Sequence, residues 1–196
     1  MFQVCIEGNI GAGKSSVVSE LKILFPHATV VPEPATEWEQ RGLLRQMYQD
    51  PKTYAKSFQQ SALAGIVAAH ASVQAPIMIS ERSVYSNKYV FSHVNLRPEE
   101  RLNYDYTYEK LTGLLPKRQP LFFLLSAPAE VLLERIGRRG RASEQDIDLA
   151  YLQRVERAHV DWLATQSDVV EVDATLPTRK VAELIRREVV SQILKP

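Results

Sequence analysis

The fold class predicted by this sequence is α/β, a five-stranded parallel sheet with helices on both faces. Two observations predict it. A glycine-rich loop joins an apolar strand to a helix at the start of the chain. Four later apolar runs are separated by helical patterns, the alternation that builds a parallel sheet with its ligands gathered at the carboxyl ends of the strands.

The first strand reads Phe2-Gln3-Val4-Cys5-Ile6 and runs into I-E-G-N-I-G-A-G-K-S. From Gly8 through Gly13 to Lys14 and Ser15 the spacing fits G-x-x-x-x-G-K-[ST]. Gly8, Gly11 and Gly13 can take positive φ, so successive N–H groups turn inward around an anion. Asn9, Ile10 and Ala12 complete that cup. A helix opening near Gly13, with Ser16 in its first turn, adds unpaired N–H groups and the positive end of its dipole. Lys14 is expected on the β/γ-phosphates of ATP and Ser15 on Mg²⁺. A plain glycine turn between two core elements is the alternative, but strand, loop and helix stand in the order the phosphate motif requires.

The helix after the loop carries apolar residues at helical spacing over 16–24. Further strands are expected at 28–31, 77–79, 121–125 and 169–172, and long helices at 52–75, 99–115, 128–138 and 149–166. Pro51 suits a helix start and Pro76 a stop. In the first long helix, Gln59, Ala62 and Ile66 share a face with Phe58 beside them, which embeds one amide in an apolar stripe. An ordinary core face would look the same. Glu33 follows the second strand, and Glu81-Arg82 ends the third. The loop and both strand ends therefore converge on one crevice.

Length and composition bound the rest. A chain of 196 residues, 45% hydrophobic, suits one domain over 1–196. A formal net charge of +1 gives no basic excess for gripping a nucleic-acid polymer. Cys5 is the only cysteine, which excludes an internal disulfide and fits a buried thiol in a reducing compartment. No charged leader precedes the first strand, and no run approaches the roughly 20 apolar residues of a membrane span. A soluble, cytoplasmic protein is expected, without linker, low-complexity block or repeat.

Beyond the loop the chain reads Glu33-Pro34-Ala35-Thr36-Glu37-Trp38, then Met47-Tyr48-Gln49-Asp50-Pro51, Phe58-Gln59-Gln60 and Glu81-Arg82-Ser83-Val84-Tyr85-Ser86. Later come Glu134-Arg135-Ile136-Gly137-Arg138-Arg139-Gly140-Arg141 and Tyr151-Leu152. Order and motifs resemble the deoxyribonucleoside kinase family, which has a P-loop kinase fold with an arginine-rich lid, here at about 135–146. The phosphate loop alone is family-neutral, whereas E-P-x-x-x-W together with E-R-S is far more specific.

The resemblance implies an ATP-dependent deoxynucleoside kinase with Mg²⁺, acting in salvage of DNA precursors and forming a homodimer through helices. Glu33 is implied as the base that takes the proton of the sugar 5′-hydroxyl. Arg82 orients that carboxylate and approaches the transferred phosphate, and Glu81 holds Mg²⁺. Phosphoryl transfer independently favours such groups, because it needs a positioned hydroxyl and neutralised charge more than covalent help. For the nucleoside, Gln59 is implied on the base edge, Phe91 and Trp38 along its faces, and Tyr48 and Glu144 at the 3′-hydroxyl. Phe58, Ala62, Ile66 and Asn87 line the same pocket. Arg135, Arg139 and Arg141, with Arg138 beside them, form a lid whose mutual repulsion a triphosphate relieves.

Family members that prefer deoxycytidine and purine nucleosides carry an arginine and an aspartate where this chain has Ile66 and Asn87. Both charges are missing, so thymidine and deoxycytidine are the expected substrates. The lid also has one acidic residue, Glu144, where relatives often have two. A nucleoside monophosphate kinase of the thymidylate kinase type is the nearest alternative. Its phosphorylated acceptor needs a cation where this chain has Glu33. A non-catalytic, ATP-sensing module would leave Glu33, Gln59 and the lid arginines without a shared task.

Overall fold

Alternating burial along the strands builds a two-sided sheet. In β1 (Phe2–Gly8), Val4 and Ile6 face one side and Cys5 the other. In β4 (Gln119–Ser126), Leu121, Phe123 and Leu125 share the first side, and Phe122 and Leu124 share the second. Side chains alternate across a pleated strand, so each strand feeds two cores. With β2 (Thr29–Val31), β3 (Ile77–Glu81) and β5 (Val169–Asp173), these strands form one parallel sheet in the order β2-β3-β1-β4-β5. The computed structural model describes residues 1–193. The last three positions of the expected 1–196 domain lie outside the described residues.

One face is covered by α1 (Lys14–Leu24), α8 (Ala129–Arg139) and α10 (Thr178–Ile193), which contribute Val17, Leu21, Leu132, Ile136, Ile185 and Val189 to the core. On the other face, α9 (Leu149–Leu163) places Val155, Trp162 and Leu163 against Cys5 and Phe122. A separate cluster joins α2 (Ala35–Gln40), α3 (Leu43–Gln49), α4 (Pro51–Ala71) and α7 (Pro98–Thr112) through Trp38, Met47, Phe58, Leu63 and Tyr104. No helix among the described residues is long and apolar enough to cross a membrane.

The expected strands and long helices are present, with shifted ends. The largest shift is in α4, which stops at Ala71 rather than at Pro76. Ser72 is the C-cap, and the Arg118 guanidinium from before β4 takes the carbonyls of Val73 and Ala75 at 2.8 and 2.9 Å. A distant cation thus satisfies the chain end that a helix would have used. The helical run after Arg82 is also not one regular α-helix. It begins with α5 (Val84–Ser86), widens into a π-turn (Asn87–Ser92) and closes with α6 (His93–Asn95). Such bulges cluster at functional sites.

Candidate active site

Parallel pairing brings the phosphate loop and the end of β3 side by side: Ile6 is opposite Glu81, and the Arg82 N–H donates to the Ile6 carbonyl at 3.0 Å. Gly8 leaves β1 at φ 137, where an added Cβ would stand 2.6 Å from the Leu125 carbonyl oxygen. No other residue fits there. Asn9 anchors the loop from beneath: its Nδ2 donates to the Leu152 carbonyl and its Oδ1 accepts from the Ile10 N–H, both at 2.8 Å. Gly13 caps α1 at φ 86 with no side-chain cap bond. The first-turn N–H groups of α1 thus stay available for an anion.

Lys14 Nζ donates to the Asn9 carbonyl at 2.8 Å. Burial pushes the pKa of its ammonium down to about 7, and the Arg82 cation adds to that push, against the opposing pull of Glu33, Glu81 and Glu7. A phosphate placed in the cup would reverse the effect, since a nearby anion favours the charged amine. Ser15 Oγ donates to Glu81 Oε1 at 2.6 Å. That pair of hard oxygens beside the cup fits Mg²⁺, which takes few protein ligands and shares substrate phosphates and water.

Arg82 is the hub of the site. Among the described residues it is the one non-glycine at positive φ (64), a conformation that costs about 1–3 kcal/mol and marks functional sites. Its Nη1 donates to the Gly8 carbonyl at 2.8 Å, and its guanidinium lies 4.5 Å from the Phe91 ring centroid. Nε approaches Glu33 Oε1 at 2.9 Å, yet its N–H makes no directed hydrogen bond. The contact is a charge pair rather than a locked fork, which leaves the Nε hydrogen and the Glu33 carboxylate available to a ligand. Behind it, the fully buried Glu7 accepts from Ser83 Oγ at 2.5 Å, and burial raises its pKa above the usual carboxylate range.

A cavity of about 470 Å³ spans loop, strand ends, α4 and lid. Of the residues expected at the site, Ile10, Gly11, Gly13, Lys14, Ser15, Ser16, Glu33, Trp38, Tyr48, Phe58, Gln59, Ala62, Ile66, Glu81, Arg82, Asn87, Phe91, Arg135, Arg139, Arg141 and Glu144 line it. Gly8 and Asn9 instead shape the loop from behind, and Ala12 lines a second cavity. Gln59 is 1% exposed, and neither of its amide atoms has a hydrogen-bond partner among the described residues. Such an orphan is costly unless a ligand meets it. The stripe of Phe58, Ala62 and Ile66 belongs at once to the core and to the cavity wall. Trp38 packs edge-on against Phe58 at 5.4 Å, and Tyr48 edge-on against Tyr151 at 6.0 Å. Burial holds the Tyr48 hydroxyl protonated well above its ordinary range, with Tyr151, Glu144 and Glu33 adding to the effect.

The lid differs in detail from four mutually repelling cations. Arg139 and Arg141 pair with Glu144 at 2.5 and 3.3 Å, and Arg135 Nη2 donates to the Ala174 carbonyl at 3.0 Å. Arg138 turns to solvent beside Glu134. Glu144 here neutralises lid arginines, while Ser143 Oγ donates to Glu39 and ties the lid turn to α2. Sequence reasoning missed the second cavity, about 280 Å³, which runs from Gly11, Ala12 and Gly13 to Ala174, Leu176 and Thr178. The signal available for it was position: these residues follow the fifth strand at the same carboxyl edge.

A family model described as deoxynucleoside kinase matches residues 4–194. Among curated relatives, human deoxycytidine kinase is 33% identical over 195 residues, covering 82% of this chain and 75% of that protein. The thymidine kinase of Ictalurid herpesvirus 1 is 30% identical over 190 residues, covering 92% of this chain and 82% of its own. Mitochondrial deoxyguanosine kinase of Xenopus laevis is 27% identical over 202 residues, covering 87% and 76%.

Proposed function

We propose, for a chain that belongs to the deoxynucleoside kinase family and is an ATP-dependent enzyme, that its acceptors are thymidine and deoxycytidine, phosphorylated at the 5′-hydroxyl. The observation that carries this reading is the unpartnered amide of Gln59, buried in the same cavity as the Glu33–Arg82 pair and the phosphate loop. An amide offers one donor and one acceptor, the complement of a pyrimidine edge. Ile66 lines that cavity with an apolar side chain, leaving room beside a 5-methyl group.

In the proposed reaction the 5′-oxygen attacks the γ-phosphorus, its proton passes to Glu33, and the bond to the β-phosphate oxygen breaks to release ADP. Arg82, already beside Glu33 with its Nε free of a directed bond, approaches the transferring phosphoryl group, where its planar fork suits both partners. Lys14 and the open N–H groups of α1 hold the phosphates. Ser15 and Glu81 would hold Mg²⁺, which would supply neutralisation of the phosphate charge. Tyr48 and Glu144 receive the 3′-hydroxyl, with Glu144 exchanging one lid arginine for the sugar. Arg135, Arg139 and Arg141 close on the triphosphate and exclude water. The second cavity beside the loop suits the remainder of the ATP donor.

We place the reaction in the cytoplasm, where the buried Cys5 thiol stays reduced, and assign the enzyme a homodimer. Exposed Leu102 and Tyr106 on α7 supply apolar area for such an interface. Incubation with Mg-ATP and thymidine, deoxycytidine or dTMP in turn tests the function. Turnover of the two nucleosides supports it, whereas turnover of dTMP alone would replace it with a monophosphate kinase.

A further inference from the structure

Asn87 stands on the cavity wall, and its amide is not free to choose its orientation. Tyr104, on the neighbouring helix α7, is wholly buried, and its hydroxyl donates to Asn87 Oδ1. That contact is the only hydrogen bond of the Tyr104 hydroxyl among the described residues. Reversing the amide would put Nδ2 against the hydroxyl and leave the phenolic proton with no acceptor in the core, an arrangement that costs more than the bond it replaces. Burial raises the Tyr104 pKa far above its ordinary value, so the proton stays in place across the working pH range. Among the described residues the hydrogen bond of the Asn87 side chain is the one its Oδ1 accepts from Tyr104, and Nδ2 is not among the buried polar atoms that lack both solvent and a partner. Its open side is the cavity that Asn87 lines.

We infer that Tyr104 is a positioning residue for base selection: by holding Asn87 Oδ1 it aims the Asn87 N–H donors into the base cavity, so the site prefers a pyrimidine with a 4-keto group to one with a 4-amino group. This rests on the pyrimidine-nucleoside reading above. The chemistry lies in the asymmetry between two amides. Gln59 has no partner fixing it, so by turning its amide it can pair with N3–H and O4 of thymine or uracil, or with N3 and the amino group of cytosine. Gln59 alone therefore does not discriminate. The exocyclic group at position 4 has a second bonding site beyond the one Gln59 uses. On a keto oxygen that site is a lone pair, which accepts from Asn87 Nδ2. On an amino nitrogen it is a second N–H, which meets a donor. Rejection by a fixed, mispaired donor is stronger than rejection by an apolar wall. The same logic explains why one side-chain atom matters at this position, since an aspartate would accept where this asparagine donates.

Deoxyuridine and deoxycytidine differ at position 4 of the base, while thymidine and deoxyuridine differ by the 5-methyl group. Comparing kcat/KM for the three separates the 4-position from room for the methyl. The wild type is expected to use deoxyuridine over deoxycytidine by about tenfold or more, the scale of one mispaired buried donor. Tyr104→Phe keeps the ring and removes the hydroxyl, so Asn87 can turn and offer its oxygen. The deoxyuridine-to-deoxycytidine ratio should then fall toward one, while the thymidine-to-deoxyuridine ratio stays unchanged. Asn87→Asp, which fixes an acceptor at the same place, should swing preference to deoxycytidine. It also carries the test should Tyr104→Phe fail to fold. A wild-type ratio at or below one, a ratio unmoved by Tyr104→Phe, or no swing in Asn87→Asp overturns the inference. If all three nucleosides are phosphorylated with flat ratios, this inference falls while the pyrimidine-nucleoside reading stands. If none is phosphorylated, the pyrimidine reading falls and takes this inference with it.

Discussion

Replacing Glu33 with glutamine keeps the shape of the side chain and removes its charge and its basicity, and the two losses have separable magnitudes. Arg82 is 5% exposed and Glu33 17%, with 2.9 Å between Nε and Oε1. Breaking a fully buried pair costs about 3–5 kcal/mol. Here solvent reaches the carboxylate, and Arg82 retains the Gly8 carbonyl and the Phe91 ring, so about 1–3 kcal/mol is expected. For a chain of this size that lowers Tm by roughly 2–12 °C. Out of the roughly 5–15 kcal/mol by which such proteins are stable, the variant stays folded at 25 °C. The chemical step should slow far more, by about 10²- to 10⁴-fold, the contribution of a positioned general base. Unfolding cannot produce that loss, so rate and stability report on different roles of one residue. The assay is a single-turnover rapid quench with enzyme in excess over nucleoside, run beside equilibrium nucleoside binding and a thermal melt. A single-turnover rate within about threefold of wild type refutes Glu33 as the base. A raised KM at unchanged kcat would assign it to uniform binding instead.

Nucleotide binding should take up protons above pH 7. Lys14 titrates near 7 in the empty cup, and phosphates raise it again, so calorimetry at pH 8 in buffers of different ionisation enthalpy should show uptake that Lys14→Met removes. Gly8→Ala should cost about 3 kcal/mol or more in stability, because the new Cβ meets the Leu125 carbonyl at 2.6 Å and φ is 137. Gly13→Ala, at φ 86 with nothing within 4 Å of the added atom, should cost only about 1–2 kcal/mol, and chemical denaturation compares the two. Stability should also fall as pH drops below about 6.5, since burial holds His70 near 4 and His159 near 3. The unfolded chain binds those protons first, which contributes up to roughly 1.4 kcal/mol per pH unit for each histidine. His159→Gln should flatten that slope, or the assignment of His159 as a neutral core group is wrong.

The sequence by itself determined the parts whose cause is local. Alternating apolar residues in β1 and β4 announce strands because the pleat has period two. The spacing of Gly8, Gly13, Lys14 and Ser15 announces a phosphate cup because one loop contains every group the cup needs. Glu33, Gln59 and the Glu81-Arg82 pair were legible through motifs that each fit within six residues.

What only the tertiary structure decided are relations between residues far apart in the chain. The end of α4 depends on Arg118, some forty residues later, satisfying carbonyls that a local rule assigned to more helix. The sheet order set β5 and its following loop close enough to the phosphate cup to add Ala174 and Thr178 to the site. Glu144 reads in sequence as a sugar ligand, yet the lid fold gives it two arginines first. Above all, the direction of the Asn87 amide depends on one hydroxyl of α7, and no pattern around Asn87 carries that information. Local chemistry specifies which groups a segment can offer; packing specifies which way each one faces, because an orientation is fixed only by the partner on the other side.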